Sequence, residues 1–178
     1  MRTLTLLLIL ATPSLALAED PAAAAAANPV TTVLKGGYER MKKIITAAAD
    51  EMPAADYAFK PAPEVRTFGQ VIAHVADAQY MFCSSVKKDK MAPKMVEKNV
   101  TTKDGLKKAL AEAFAYCDPI YAAATDASLK EPIELPFMKT NKFGALDINL
   151  GHDNEHYGMI VTYLRMKKLV PPTSQKEK

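Results

Sequence analysis

Three histidines are the entire imidazole supply of this chain, and two of them, His152 and His156, stand four residues apart. On a helix that spacing puts both rings on one face, with Cβ atoms roughly 5–6 Å apart, close enough to share a cation. The face continues through Ala145, Asn149, Met159, Ile160 and Tyr163, a three-and-four pattern that turns the pair inward. His74 lies in the inward sector of a second apolar pattern, formed by Phe68, Val71, Val75, Ala78, Phe82 and Val86. Neutral imidazoles suit Zn, Ni, Fe or Cu. Three of them with an open fourth position resemble a catalytic site rather than a closed structural one. The competing reading is that each is a core histidine hydrogen-bonded to a neighbour.

Carboxylates near these rings have a second role to offer, because a metal-bound imidazole commonly donates its other N–H to an acid. Asp77, Asp153 and Glu155 are the candidates, against a simpler reading of each as a solvated or structural acid. Tyr157, Tyr163 and Arg165 carry the same ambiguity, and no residue is assigned as catalytic. The string from His152 to His156 also fits the H-x-x-E-H pattern of inverted zinc peptidases. Those enzymes are large and bring an acidic ligand from far downstream, whereas only a short stretch follows His156.

The elements that must position these rings are helical. The first runs from Val30, with Val33, Leu34, Gly37, Met41, Ile44, Ile45 and Ala48 as its inward stripe. Its Gly36-Gly37 pair costs roughly 1 kcal/mol per residue relative to Ala, which suggests close approach by a neighbouring helix. Pro53, Pro61 and Pro63 make 52–66 a loop, and Thr67 caps a second helix reaching about Lys87. After a charged loop containing Pro93, Thr102 caps a third helix with Leu106, Leu110, Ala113, Phe114, Cys117 and Tyr121 inward. Pro119 is expected to kink or interrupt its last part. A further loop at 127–139 leads to Thr140 or Asn141 as the cap of a fourth helix, which Pro171-Pro172 follows. No convincing alternation of apolar and polar residues supplies strands, so the expectation is an all-α four-helix bundle.

Composition bounds the rest. With 49% hydrophobic and 24% charged residues the chain is that of a globular protein, and its length suits one domain once a leader is removed. A net charge of +3, scattered lysines and no Trp argue against nucleic acid as a partner. Residues 1–18 read as a signal peptide, with Arg2 as the positive start, Leu4 to Ala11 apolar and Ala16-Leu17-Ala18 as the cleavage signal. Residues 19–29 form an Ala/Pro-rich tether, 30–172 the bundle and 173–178 a polar tail. The mature protein is therefore expected to be exported, periplasmic or secreted, with no membrane span.

The segment Phe68-Gly69-Gln70-Val71-Ile72-Ala73-His74-Val75-Ala76-Asp77-Ala78-Gln79, with Gly151 to Gly158, Val161 to Arg165 and Leu169 to Pro172, resembles the DinB-like superfamily. The His, then His-x-x-x-His, arrangement is the most specific part. The resemblance covers essentially the whole mature domain. It implies an up-down-down-up bundle, a divalent metal (Zn, Ni or Fe) on His74, His152 and His156, and often a homodimer. It also implies that the second and third helices run parallel across a long crossover. Cys83 and Cys117 then lie at similar heights, which admits a disulfide or two buried thiols. Three functions stay open: a metal-dependent hydrolase or transferase on a small-molecule substrate, a thiol-dependent S-transferase, and an exported metal-binding or stress-associated protein without catalysis.

Overall fold

Helix stop and start signals divide the chain much as the sequence implies. A computed structural model describes residues 27–91 and 93–176, so the signal segment and most of the tether lie outside the described residues. Helix α1 (Pro29–Glu51) begins on proline, which has no amide to leave unsatisfied at a helix start. The Asp126 carboxylate accepts from the backbone N–H groups of Val30 and Thr31 and from the Thr31 hydroxyl. It thereby serves as a cap supplied from elsewhere in the chain. Helix α2 (Phe68–Lys87) opens with a capping box, in which Thr67 accepts from the Gln70 amide and the Gln70 side chain accepts from the Thr67 amide. A short α3 (Val96–Asn99) lies inside the connection that reads as a charged loop. Helix α4 (Lys103–Ala123) is capped by Thr102, and α5 (Lys142–Met166) by Asn141, whose side chain accepts from Gly144.

Contacts fix the directions of the four long helices. Thr31 meets Asp126 at one end of α1, and Lys103 donates to the carbonyls of Asp50 and Met52 at the other, so α1 and α4 are antiparallel. A Cβ added at Gly69 would touch Leu106, and Cys83 is bonded to Cys117, so α2 and α4 run parallel. Gln79 meets Asp153 while Arg66 meets Tyr163, so α5 runs back along α2. The order is up, down, down, up, and the cysteine pair is a disulfide with Cα atoms 5.5 Å apart.

Three local expectations change. Val33 is 76% exposed, because the α1 stripe centres on Thr31, Leu34, Tyr38, Met41, Ile45 and Ala48, and Val33 lies about 100° off it. Helix α4 is not interrupted at Pro119 but continues four residues past it, the proline removing one backbone bond while the neighbouring turns remain helical. Residues of the loop at 127–139 supply two strands, β1 (Pro132–Leu135) and β2 (Met138–Asn141), paired antiparallel. Only Ile133 and Leu135 of this hairpin are buried, too few to stand out as alternation between Pro132 and Pro136. The glycine pair splits in its effect. A Cβ on Gly37 would sit 2.7 Å from Leu150 of α5, whereas one on Gly36 meets nothing within 4 Å.

A buried polar seam sets the register of α5 on α2. The Tyr38 ring stacks on Tyr121 with centroids 3.8 Å apart, and the Tyr121 hydroxyl donates to the Leu146 carbonyl and accepts from Asn149. Asn149 also donates to Gln79 Oε1, and Gln79 Nε2 donates to both oxygens of Asp153 at 2.8 and 2.9 Å. A one-turn slip of α5 would strand these groups in a dry interior, at a cost of about 1–3 kcal/mol for each.

Candidate metal centre

That register delivers the imidazoles. His74, on α2, and His152 and His156, on α5, bring their ring nitrogens together, all within 4.8 Å of one another. His152 Nε2 lies 3.1 Å from His74 Nε2 and 3.0 Å from His156 Nε2. The Phe82 ring packs edge-on against His152, with centroids 6.1 Å apart. Asp153, rather than His152, occupies the buried centre of the α5 face, so the two histidines flank the seam.

A carboxylate that sequence reasoning did not pick out faces one of the rings. Glu97 Oε2 is 3.2 Å from His74 Nδ1, and Glu97 Oε1 accepts from Arg66 Nε at 2.9 Å. Asp77 holds this acid in place by accepting from the backbone N–H groups of Val96 and Glu97 at 2.8 and 3.0 Å. A proton on Nδ1 directed to Glu97 leaves the His74 Nε2 lone pair facing the other two rings. His152 Nδ1 and His156 Nδ1 are buried without a hydrogen-bond partner among the described residues.

The protonation energetics run the same way. Burial, followed by the facing His156 and His74 and by Arg66, pushes His152 down to about 3. Burial and His74 also lower His156. At neutral pH these two rings are uncharged and available as donors. Asp153 moves oppositely, up to about 7, because burial outweighs the Gln79 hydrogen bonds.

The donor set fits a divalent cation. Nitrogens at 2.0–2.1 Å from one ion in tetrahedral array stand about 3.3–3.4 Å apart. The separations from His152 to the other two rings lie within a few tenths of an ångström of this, while the third pair, His74 and His156, lies within 4.8 Å and closes by side-chain rotation around a cation. A purely hydrogen-bonded cluster fits less well, since the His152 and His156 rings have no Nδ1 partner among the described residues. Beside His74 and His152 lies a cavity of about 510 Å³, walled by α2, the α2–α4 connection and Pro136.

The remaining polar candidates are engaged with other groups, Asp77 reaching the imidazoles only through Glu97. Asp77 caps α3, Asp153 pairs with Gln79, and Glu155 is exposed. The Tyr163 hydroxyl donates to the Arg66 carbonyl, Tyr157 bonds Thr173, and Arg165 donates to Ser174. Glu97 lies in the one-turn α3 and Arg66 in the loop before α2, neither long enough to show a periodicity that would mark them. Gln79 belongs to the apolar face of α2, where its polarity was the available signal.

Comparison with known proteins agrees with this architecture. The family model described as DinB superfamily matches residues 38–160. The chain belongs to the DinB superfamily. Its fold is similar to that of a DinB-like protein from Bacillus cereus, at 16% identity and a TM-score of 0.68, over 78% of this chain and 93% of that one. It is also similar to YfiT from Bacillus subtilis, described as a probable metal-dependent hydrolase with an unusual four-helix bundle topology. That match has 15% identity and a TM-score of 0.60, over 82% of this chain and 99% of YfiT. A mycothiol-dependent maleylpyruvate isomerase matches at 12% identity and a TM-score of 0.58, over 74% of this chain and 59% of the isomerase. At these identities the DinB likeness concerns the fold alone. No curated protein matches the sequence.

Proposed function

We propose that this DinB chain is a divalent-metal-dependent hydrolase or transferase acting on a small-molecule substrate, with His74, His152 and His156 as the ligands. The observation that carries the reading is the convergence of three imidazole nitrogens beside a cavity, with the Glu97 carboxylate on the far side of the His74 ring. When bound, a cation there supplies Lewis-acid polarisation of an oxygen or sulfur group on the substrate. The chain's own residues perform the rest. Glu97 holds the His74 proton at Nδ1, Arg66 anchors Glu97, and Phe82 braces the His152 ring. Packing of α2 against α5 excludes water from the rear of the site. Three imidazoles accept several metals, so the reading extends to Zn, Ni or Fe.

Export is part of the proposal. The Cys83–Cys117 disulfide supports it, because such bonds persist in oxidising compartments. An oxidising compartment also favours the hydrolase or transferase reading over a thiol-dependent one, since few small thiols stay reduced there. Among the described residues no helix is long and apolar enough to cross a membrane.

Elemental analysis of the purified mature protein beside a His152→Ala variant tests the site. Near-stoichiometric metal in the first and its loss in the second are expected, and equal content in both refutes it. Mass spectrometry of the exported protein should find Glu19 as the first residue. A screen of the loaded protein against ester, amide and thiol-conjugation substrates separates the enzyme readings. Silence across all of them with tight metal retention favours a non-catalytic metal-binding protein.

A further inference from the structure

The cavity beside the imidazoles restricts what can occupy it. His74 and His152 line one end, and Ser84 and Ser85 line a stretch of α2 up to eleven residues further on, about 16 Å at the helical rise. Between them the wall is Tyr80 and Met81 of α2, Met91 and Met95 of the connection to α4, and Pro136 of the hairpin turn. Most polar groups along this wall are already engaged. The Asp77 carboxylate accepts from two backbone amides, and the Ser84 and Ser85 hydroxyls both donate to the Met81 carbonyl. Lys94 is different. Its ammonium sits 5.4 Å from the centroid of the Tyr80 ring, and none of the ion pairs among the described residues includes it.

Such a wall disfavours a compact polyhydroxylated or multiply charged ligand, whose polar groups would lose water without gaining partners. Methionine lining adapts to flexible apolar bodies, and one unpaired cation at the edge favours a single anionic group. We propose that the site takes an amphiphilic monoanion: an elongated apolar body lies along Tyr80, Met81 and Met95, its carboxylate-like group meets Lys94, and its reacting group reaches His74 and His152. Tyr80 is six residues beyond His74, so the anionic and reacting groups stand about 9 Å apart along α2. This assignment rests on the metal-dependent reading for the reacting end only; the apolar wall and Lys94 are independent of any cation.

Calorimetric titration of octanoate, octanol, octylamine and butanoate tests it, on the full mature protein as purified and again after chelation. Octanoate is expected to bind best, octylamine worst among the octyl compounds and butanoate weakest of all, with binding weakened about fourfold for each buried methylene removed. Lys94→Gln, at an exposed position, should weaken octanoate about two- to fivefold and leave octanol unchanged. Ser85→Phe, which narrows the cavity at a side chain whose hydroxyl bonds within its own helix, should weaken every octyl compound. The order should persist after chelation. A protein lacking metal but keeping this order would refute the metal reading and leave the ligand class standing. Equal binding of octanoate and butanoate, a preference for octylamine, or an unaltered octanoate affinity in Lys94→Gln would overturn the ligand class itself.

Discussion

Reducing the Cys83–Cys117 bond should cost this bundle about 4 kcal/mol. The bond closes a loop with a sequence separation of 34, and the chain-entropy relation for a loop of that length gives about 13 cal/mol/K of lost unfolded-state entropy. At 25 °C this corresponds to about 4 kcal/mol, or a fall in midpoint temperature of roughly 8–16 °C for a domain of this size. Both cysteines are fully buried, so a Cys→Ala pair would add a cavity cost to the cross-link term. Comparing oxidised and reduced wild-type protein avoids that, because the side chains keep nearly the same volume. Urea unfolding monitored by circular dichroism, with and without reductant during equilibration, reads the difference directly. Metal content should survive reduction under conditions where the protein stays folded, because the bond joins α2 to α4 while the imidazoles lie on α2 and α5. A stability change below about 1 kcal/mol would contradict the entropic reasoning. Loss of metal from the folded, reduced protein would show that the site depends on the α2–α4 contact after all.

Other perturbations have equally definite outcomes. Glu97→Gln should lower metal affinity about 10- to 100-fold while leaving the helical spectrum unchanged, and competition with a chromophoric chelator measures it. Unaltered affinity would separate Glu97 from the site. Gly36→Ala should stabilise the protein by about 1 kcal/mol because helix propensity improves and the new Cβ meets nothing. Gly37→Ala should gain less, since Leu150 must move, and thermal melts of the two variants show whether that order holds. Asp126→Asn removes a carboxylate held below its usual value of 3.8, chiefly by the Thr31 hydroxyl. A lowered folded pKa means the wild-type advantage is present above about pH 4 and disappears as pH falls through the lowered value. Wild type and variant should therefore converge in acid denaturation, and a gap that widens below pH 4 would reverse this sign.

The four long helices, the caps of α2, α4 and α5, and the two-on-one-face placement of His152 and His156 were determined by sequence alone. Each depends on neighbours within about one turn. Thr67 with Gln70, Thr102 with Gly105 and Asn141 with Gly144 are contacts made three residues away. A 3.6-residue period records which side of a helix meets the core, but it says little about what waits on the other side of the contact. Tertiary structure decided that Asp153 faces Gln79, that Glu97 faces His74 across 23 positions of chain, and that His152 faces His74 across 78. It also chose a disulfide over two free thiols and a cap for α1 supplied by the distant Asp126. Each of these pairs depends on how the helices and the crossover dock against one another, a rigid-body fit set by summed packing over whole interfaces and carried by no local run of residues.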